Sequence, residues 1–71
     1  TAAAGLEAAR QGAAAAAEAR DTAAALFRSG RATSLDVLGA EADLQRADAA
    51  VIGALGDLVT ARARVARLGA A

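Results

Sequence analysis

The chain contains no cysteine, histidine, proline, methionine, tryptophan or tyrosine, and Phe27 is its single aromatic residue. Without cysteine and histidine, the usual zinc ligands, thiol nucleophiles and the commonest general base are missing. The remaining candidate nucleophiles are Ser29, Ser34 and the threonines, and the sequence offers no base placed to activate them. We therefore expect no enzyme activity, no cofactor and no metal site.

The chain also lacks a net charge, because its eight basic residues, all arginine, balance eight acidic ones. No basic stripe is evident, which argues against nucleic acid as a partner. The first residues, "TAAAGLEAARQG", carry charges and no continuous apolar region, and no later run approaches the roughly 18 apolar residues that span a bilayer. We expect neither a signal peptide nor a membrane span here, so an export signal would lie outside this segment.

Alanine is the commonest residue and supplies most of the hydrophobic ones. Of the 71 residues, 56% are hydrophobic but only 1% are aromatic, and a buried alanine methyl contributes far less than the 1.5 to 3 kcal/mol or so of a large apolar side chain. A self-sufficient core is therefore not expected in so small a chain. The composition favours a segment of a longer protein, or a chain that packs against copies of itself.

The sequence predicts two helices joined by a short bend. Alanine, Arg, Leu, Glu and Gln are strong helix formers, and Gly30 follows Arg28 as expected just past a helix end. Thr33 and Asp36 have the spacing of a capping box that starts a second helix. We predict a single all-α antiparallel hairpin over 1–71, with helices over about 2–29 and 34–68 and a turn over about 30–33.

The second helix has two apolar strips, each with a seven-residue repeat. The first is a coiled-coil seam formed by Val37, Leu44, Val51, Leu58 and Val65 with Ala40, Ala47, Ala54, Ala61 and Leu68. The second comprises Leu38, Ile52 and Val59 with Leu35, Ala42, Ala49, Gly56 and Ala63. The first helix offers a matching small surface made of Gly5, Gly12, Ala19 and Leu26 flanked by Ala2, Ala9, Ala16 and Ala23.

Two separate strips need two neighbours, one on each side of the helix. This pattern is expected of a helix in the wall of an α-helical barrel, whereas a simple hairpin would use only one strip. The hairpin is accordingly predicted to be a fragment of such a barrel.

The stretch "LFRSGRATSLDVLGAEADLQRADAAV" resembles the C-terminal periplasmic helical hairpin of the TolC-like outer-membrane efflux factors. The family's recurring form is a Tyr-Arg-x-Gly turn, a short spacer, Leu-Asp-Val-Leu-Asp-Ala and a heptad helix with a further Leu. The matching residues are Phe27, Arg28, Gly30, Leu35, Asp36, Val37, Leu38, Ala40 and Leu44. The closing "ARLGAA" is similar to the family's Ala-Leu-Gly ending at Leu68 and Gly69.

This resemblance implies a homotrimer at the outer membrane of a Gram-negative bacterium, with the hairpins forming an efflux conduit across the periplasm. The strands of a membrane barrel would lie in parts of the parent protein outside this segment. The bend would be the tip that docks a periplasmic adaptor protein of a tripartite efflux or secretion system. The implied docking residues are Ser29, Gly30, Arg31, Ala32 and Thr33.

The resemblance also implies that Asp36, Gly39 and Asp43 line the pore entrance, and that Phe27, Leu35 and Leu38 pack the turn. Gly39 stands at the family's second acidic position and Phe27 at its usual Tyr, so the entrance would carry fewer carboxylates and lack a hydroxyl that could hydrogen-bond a neighbour.

Simpler interpretations remain open. Asp36 can serve as a helix cap alone or as a cap that also lines a pore, and Arg31 can be an isolated solvated cation or a partner contact. The whole chain can likewise be a generic structural coiled-coil hairpin that mediates protein–protein interaction, for which the second strip would be accidental.

Overall fold

A computed structural model of the chain describes residues 1–70 as two α-helices. Helix α1 covers Ala2–Arg28 and helix α2 covers Ser34–Ala70, and no strand occurs within the described range. The two helices pack side by side along their length in an extended hairpin of 63 × 15 × 12 Å. The predicted all-α hairpin is confirmed.

The hairpin is far from globular. Its radius of gyration is 17.3 Å, whereas a compact domain of this length would have a radius of about 11 Å. Leu6, at 9% exposed, is the single buried side chain among the residues whose burial is described. The core is therefore one seam between two helices, without a second layer.

The seam pairs large side chains of α2 with alanines of α1. Val37, Leu44, Val51 and Leu58 are all partly covered, together with Ala40, Ala47, Ala54 and Ala61 between them. On α1 the covered residues are mostly alanine, and they are Ala2, Leu6, Ala9, Ala13, Ala16, Ala17, Arg20, Ala23 and Ala24. Because small residues face large ones, the helices fill the seam without any aromatic side chain.

One predicted row of α1 is wrong. Gly5, Gly12, Ala19 and Leu26 are exposed, and a Cβ built on either glycine would meet nothing within 4 Å. The row beginning at Leu6 takes their place beside Ala2 and Ala9. This rotation covers Leu6 and Ala13 in place of Gly5 and Gly12, which removes more apolar surface from water, and it leaves Leu26 39% exposed.

The seam also ends earlier than the heptad pattern of α2 predicts. Ala61 is its last partly covered residue, and Val65 and Leu68 are 69% and 78% exposed. Helix α1 begins at Ala2, so no α1 residue lies opposite this end of α2.

Candidate interaction surfaces

The end of α1 is closed mainly by hydrogen bonds of its own backbone. Gly30 has φ +76°, a left-handed conformation that glycine adopts without steric cost. The Arg31 N–H donates to the Leu26 carbonyl at 2.8 Å and the Gly30 N–H to the Phe27 carbonyl at 3.0 Å. This pair of bonds is the Schellman arrangement that satisfies carbonyls at a helix end.

A reciprocal capping box begins α2, as the Thr33 and Asp36 spacing predicts. The Thr33 N–H donates to a carboxylate oxygen of Asp36 at 2.8 Å, and the Asp36 N–H donates to the Thr33 hydroxyl oxygen at 3.2 Å. The bond from the Thr33 backbone N–H, followed by the bond from its side chain, lowers the pKa of Asp36 below 3.8. Asp36 is therefore a cap in this structure, and its carboxylate is held in the charged form.

The tip residues expected to dock an adaptor form the exposed apex between these caps. Ser29, Gly30, Arg31 and Thr33 are exposed, and Ala32 is partly covered. The Ser29 hydroxyl donates back to the Leu26 carbonyl at 2.9 Å, so it belongs to the cap. Arg31 forms no ion pair with any residue in the described part of the chain, which leaves its guanidinium accessible at the apex.

The three residues expected to pack the turn are largely exposed in this chain. Phe27, Leu35 and Leu38 are 48%, 76% and 59% exposed, respectively. Hydrogen bonds of the two caps, and not side-chain packing, therefore hold the bend within the hairpin.

The residues expected at a pore entrance lie on one polar face of α2. Asp36, Gly39 and Asp43 are all exposed, and their intervals of three and four residues place them along one face over about two helical turns. Asp43 forms an ion pair with Arg46, which offsets its charge. Of the two carboxylates in this set, Asp36 is thus the one without a cationic partner among residues 1–70.

The second apolar repeat of α2 is uncovered along its whole length. We extend this repeat by Gln45 and Ala66, which occupy the same heptad positions, and call the surface the α2 strip; it consists of Leu35, Leu38, Ala42, Gln45, Ala49, Ile52, Gly56, Val59, Ala63 and Ala66. Its two largest central side chains, Ile52 and Val59, are 70% and 65% exposed. At 100° per residue the strip lies about 150° from the seam, so α1 cannot cover both.

The described residues contain neither a candidate metal site nor a candidate membrane-spanning helix. No group of three or more acidic, histidine or cysteine side chains there could hold a metal ion. Neither described helix is long and apolar enough to cross a membrane. A shallow apolar depression lined by Ala61, Arg62, Val65 and Ala66 lies where α2 extends past α1.

Comparison of the chain with protein-family models, with curated proteins and with solved structures finds no match in any of the three.

Proposed function

We propose that this chain is a helical hairpin from the periplasmic tube of a TolC-like outer-membrane efflux conduit, with its bend docking a periplasmic adaptor. The observation that supports the proposal is the α2 strip, which stays exposed after α1 has covered the seam. A helix with apolar strips about 150° apart suits a wall in which each helix has a neighbour on either side. The "FRSG" and "LDVL" motifs supply the link to that family.

Assembly in a wall would also explain the outward face of α1. Its exposed row of Gly5, Gly12, Ala19 and Leu26 carries little side-chain bulk, and small residues allow a neighbouring helix to approach closely. The neighbour would be another hairpin of the parent trimer. In that arrangement Asp36, Gly39 and Asp43 would face the entrance, with Asp36 the main source of negative charge.

The alternative function is a structural coiled-coil hairpin that mediates protein–protein interaction without forming a conduit. It is favoured by the bend itself, because Gly30, Thr33 and Asp36 satisfy both helix ends without a partner. The two functions differ at Arg31, which a docking tip uses and a simple bend does not.

Cysteine crosslinking in the parent protein tests the proposal, since the chain has no native cysteine. With Arg31→Cys in living cells, a short bifunctional maleimide is expected to give an adduct that mass spectrometry identifies as a periplasmic adaptor. Glu18→Cys, at an exposed site in mid-α1, is the matched control and should give no such adduct. Absence of the Arg31→Cys adduct, with full export after Arg31→Trp, would exclude docking at this tip.

A further inference from the structure

We infer that the α2 strip is a self-complementary surface on which α2 of a second copy of this chain docks antiparallel, with the two bends at opposite ends. This inference goes beyond the proposed function, because hairpins in a tube wall have their bends at the same end. The strip can accept only one neighbour at a time, so the two arrangements exclude each other on any one molecule.

The spacing along the strip is that of a complete coiled-coil seam. Its members alternate at intervals of three and four residues from Leu35 to Ala66, which keeps them against a partner helix when the two helices supercoil around each other. The strip residues are exposed throughout, and the seam with α1 lies on another side of the helix. A second α2 can therefore dock without displacing α1.

Side-chain size is the first complementarity. When two copies of the strip are laid antiparallel about their midpoint, a small residue meets a larger one at every level. The opposed pairs, each occurring twice, are Leu35 with Ala66, Leu38 with Ala63, Ala42 with Val59, Gln45 with Gly56, and Ala49 with Ile52. Such alternation gives an even separation of the helices along the interface, as close packing requires.

Charge is the second complementarity. One flank of the strip carries Glu41, Asp48, Leu55 and Arg62. In the antiparallel alignment described above, Glu41 of each copy lies beside Arg62 of the other, and Asp48 lies beside the uncharged Leu55. The other flank brings Arg46 beside Gly53. Two attractive pairs form and no like charges meet.

A parallel pair of α2 helices fits less well. Identical residues would then face each other, so the helices would be separated widely at Leu35 and Leu38 and narrowly at Ala42 and Gly56. Glu41 of each copy would lie beside Arg46 of the other, but Arg62 of each copy would lie beside Arg67 of the other. The alignment is uneven in size, and its attractive pair is offset by a repulsive one.

The outward face of α1 from a second copy is also a poorer occupant. When that face is laid antiparallel on the α2 strip, Glu18 lies beside Asp48. A shift of one heptad brings Glu18 beside Glu41 instead. Both registers oppose like charges. Shifts in the other direction bring Glu18 beside the uncharged Leu55 or beside Arg62, which gives at most one attractive pair, whereas the antiparallel pair of α2 strips gives two.

Single-cysteine variants of the purified 71-residue chain test the orientation. Leu38→Cys and Ala63→Cys lie opposite each other across the antiparallel interface, close enough for a disulfide, while the two copies of position 38 lie about 37 Å apart. Mixed under mild oxidation, with one chain carrying a mass tag, the two variants should give about tenfold more crosslinked dimer than either alone. A Leu38→Cys homodimer as the main product would indicate parallel docking and overturn the inference.

Charge reversal followed by sedimentation equilibrium tests the pairing independently. Glu41→Arg and Arg62→Glu should each weaken dimerisation roughly tenfold, and the double variant Glu41→Arg/Arg62→Glu should restore it. Glu18→Arg, the same charge change on the outer face of α1, is the control and should leave the dimer unchanged.

A wild-type chain that sediments as a monomer, folded or unfolded, or as a trimer or larger, would overturn the inference. So would equal effects of Glu41→Arg and Glu18→Arg. None of these measurements involves an adaptor or the parent protein, so failure of the dimer leaves the proposed docking function to its own crosslinking test.

Discussion

At the residue scale, the bend is a pair of complete caps that meet at Ala32. Gly30 is the one residue among 1–70 with positive φ, and it allows two backbone bonds to end α1. Thr33 and Asp36 then start α2 through bonds that each residue makes to the other's backbone N–H. Because every one of these contacts is local, they need no partner, and the Arg31 side chain takes part in none of them.

The lowered pKa of Asp36 predicts a pH-dependent stability. Its folded-state pKa lies below the ordinary 3.8, so the charged cap stabilises the hairpin above pH 3.8, and this contribution is lost as pH falls through the folded-state pKa. In thermal unfolding followed by circular dichroism, Asp36→Ala should melt lower than the wild type at pH 7. The difference between the two melting temperatures should disappear as the pH falls below 3.8.

Asp57→Ala is the control for this series, since Asp57 is exposed and its side chain forms none of the hydrogen bonds found within residues 1–70. Its melting temperature should track the wild type's between pH 7 and pH 2 more closely than that of Asp36→Ala does. A gap for Asp36→Ala that stays constant down to pH 2 would contradict the capping role.

At the element scale, strong local signals made the helices and the bend predictable from sequence. The capping box at Thr33 and Asp36 and the glycine at position 30 appear where the sequence places them, and so does the seam of α2 as far as Ala61. The rotation of α1 could not be predicted with the same success, because almost every candidate row on that helix is alanine or glycine. The row beginning at Gly5 contains Leu26 and the row beginning at Leu6 contains Leu6, so the pattern alone does not choose between them, and in the structure Leu6 is the leucine that is buried.

The separation of the two strips on α2 predicts that neighbouring residues differ in their importance. Val51 lies in the seam and is partly covered, while Ile52 is 70% exposed. At concentrations where the chain is monomeric, Val51→Asn should lower the free energy of unfolding by roughly 1 to 3 kcal/mol. Ile52→Asn should change it by no more than about 0.5 kcal/mol.

Denaturant titration at two protein concentrations measures both effects. Raising the concentration should leave the Val51→Asn deficit in place and reveal a new deficit for Ile52→Asn, because only the latter side chain lies in the proposed interface. Equal losses in dilute solution would mean that α2 does not present two independent strips.

At the scale of the whole molecule, residues 1–69 contain one buried side chain, and the α2 strip has ten uncovered positions. The seam consists largely of alanine, so the apolar area that it removes from water is small compared with the entropy lost on ordering two helices. Because large side chains are so few, we expect the isolated hairpin to have limited stability. A partner on the α2 strip would add Leu, Ile and Val to the buried area.

The melting temperature of the chain should therefore rise with its concentration. For a dimer of this size, the enthalpy of unfolding predicts an increase of about 5 °C for each tenfold rise in concentration. Circular dichroism over a hundredfold range measures it, with Glu18→Arg expected to follow the wild type and Glu41→Arg expected to melt lower at every concentration. A single high melting temperature, independent of concentration, would show that the α1–α2 seam suffices to hold the fold and that the chain has no need of a neighbour on its second strip.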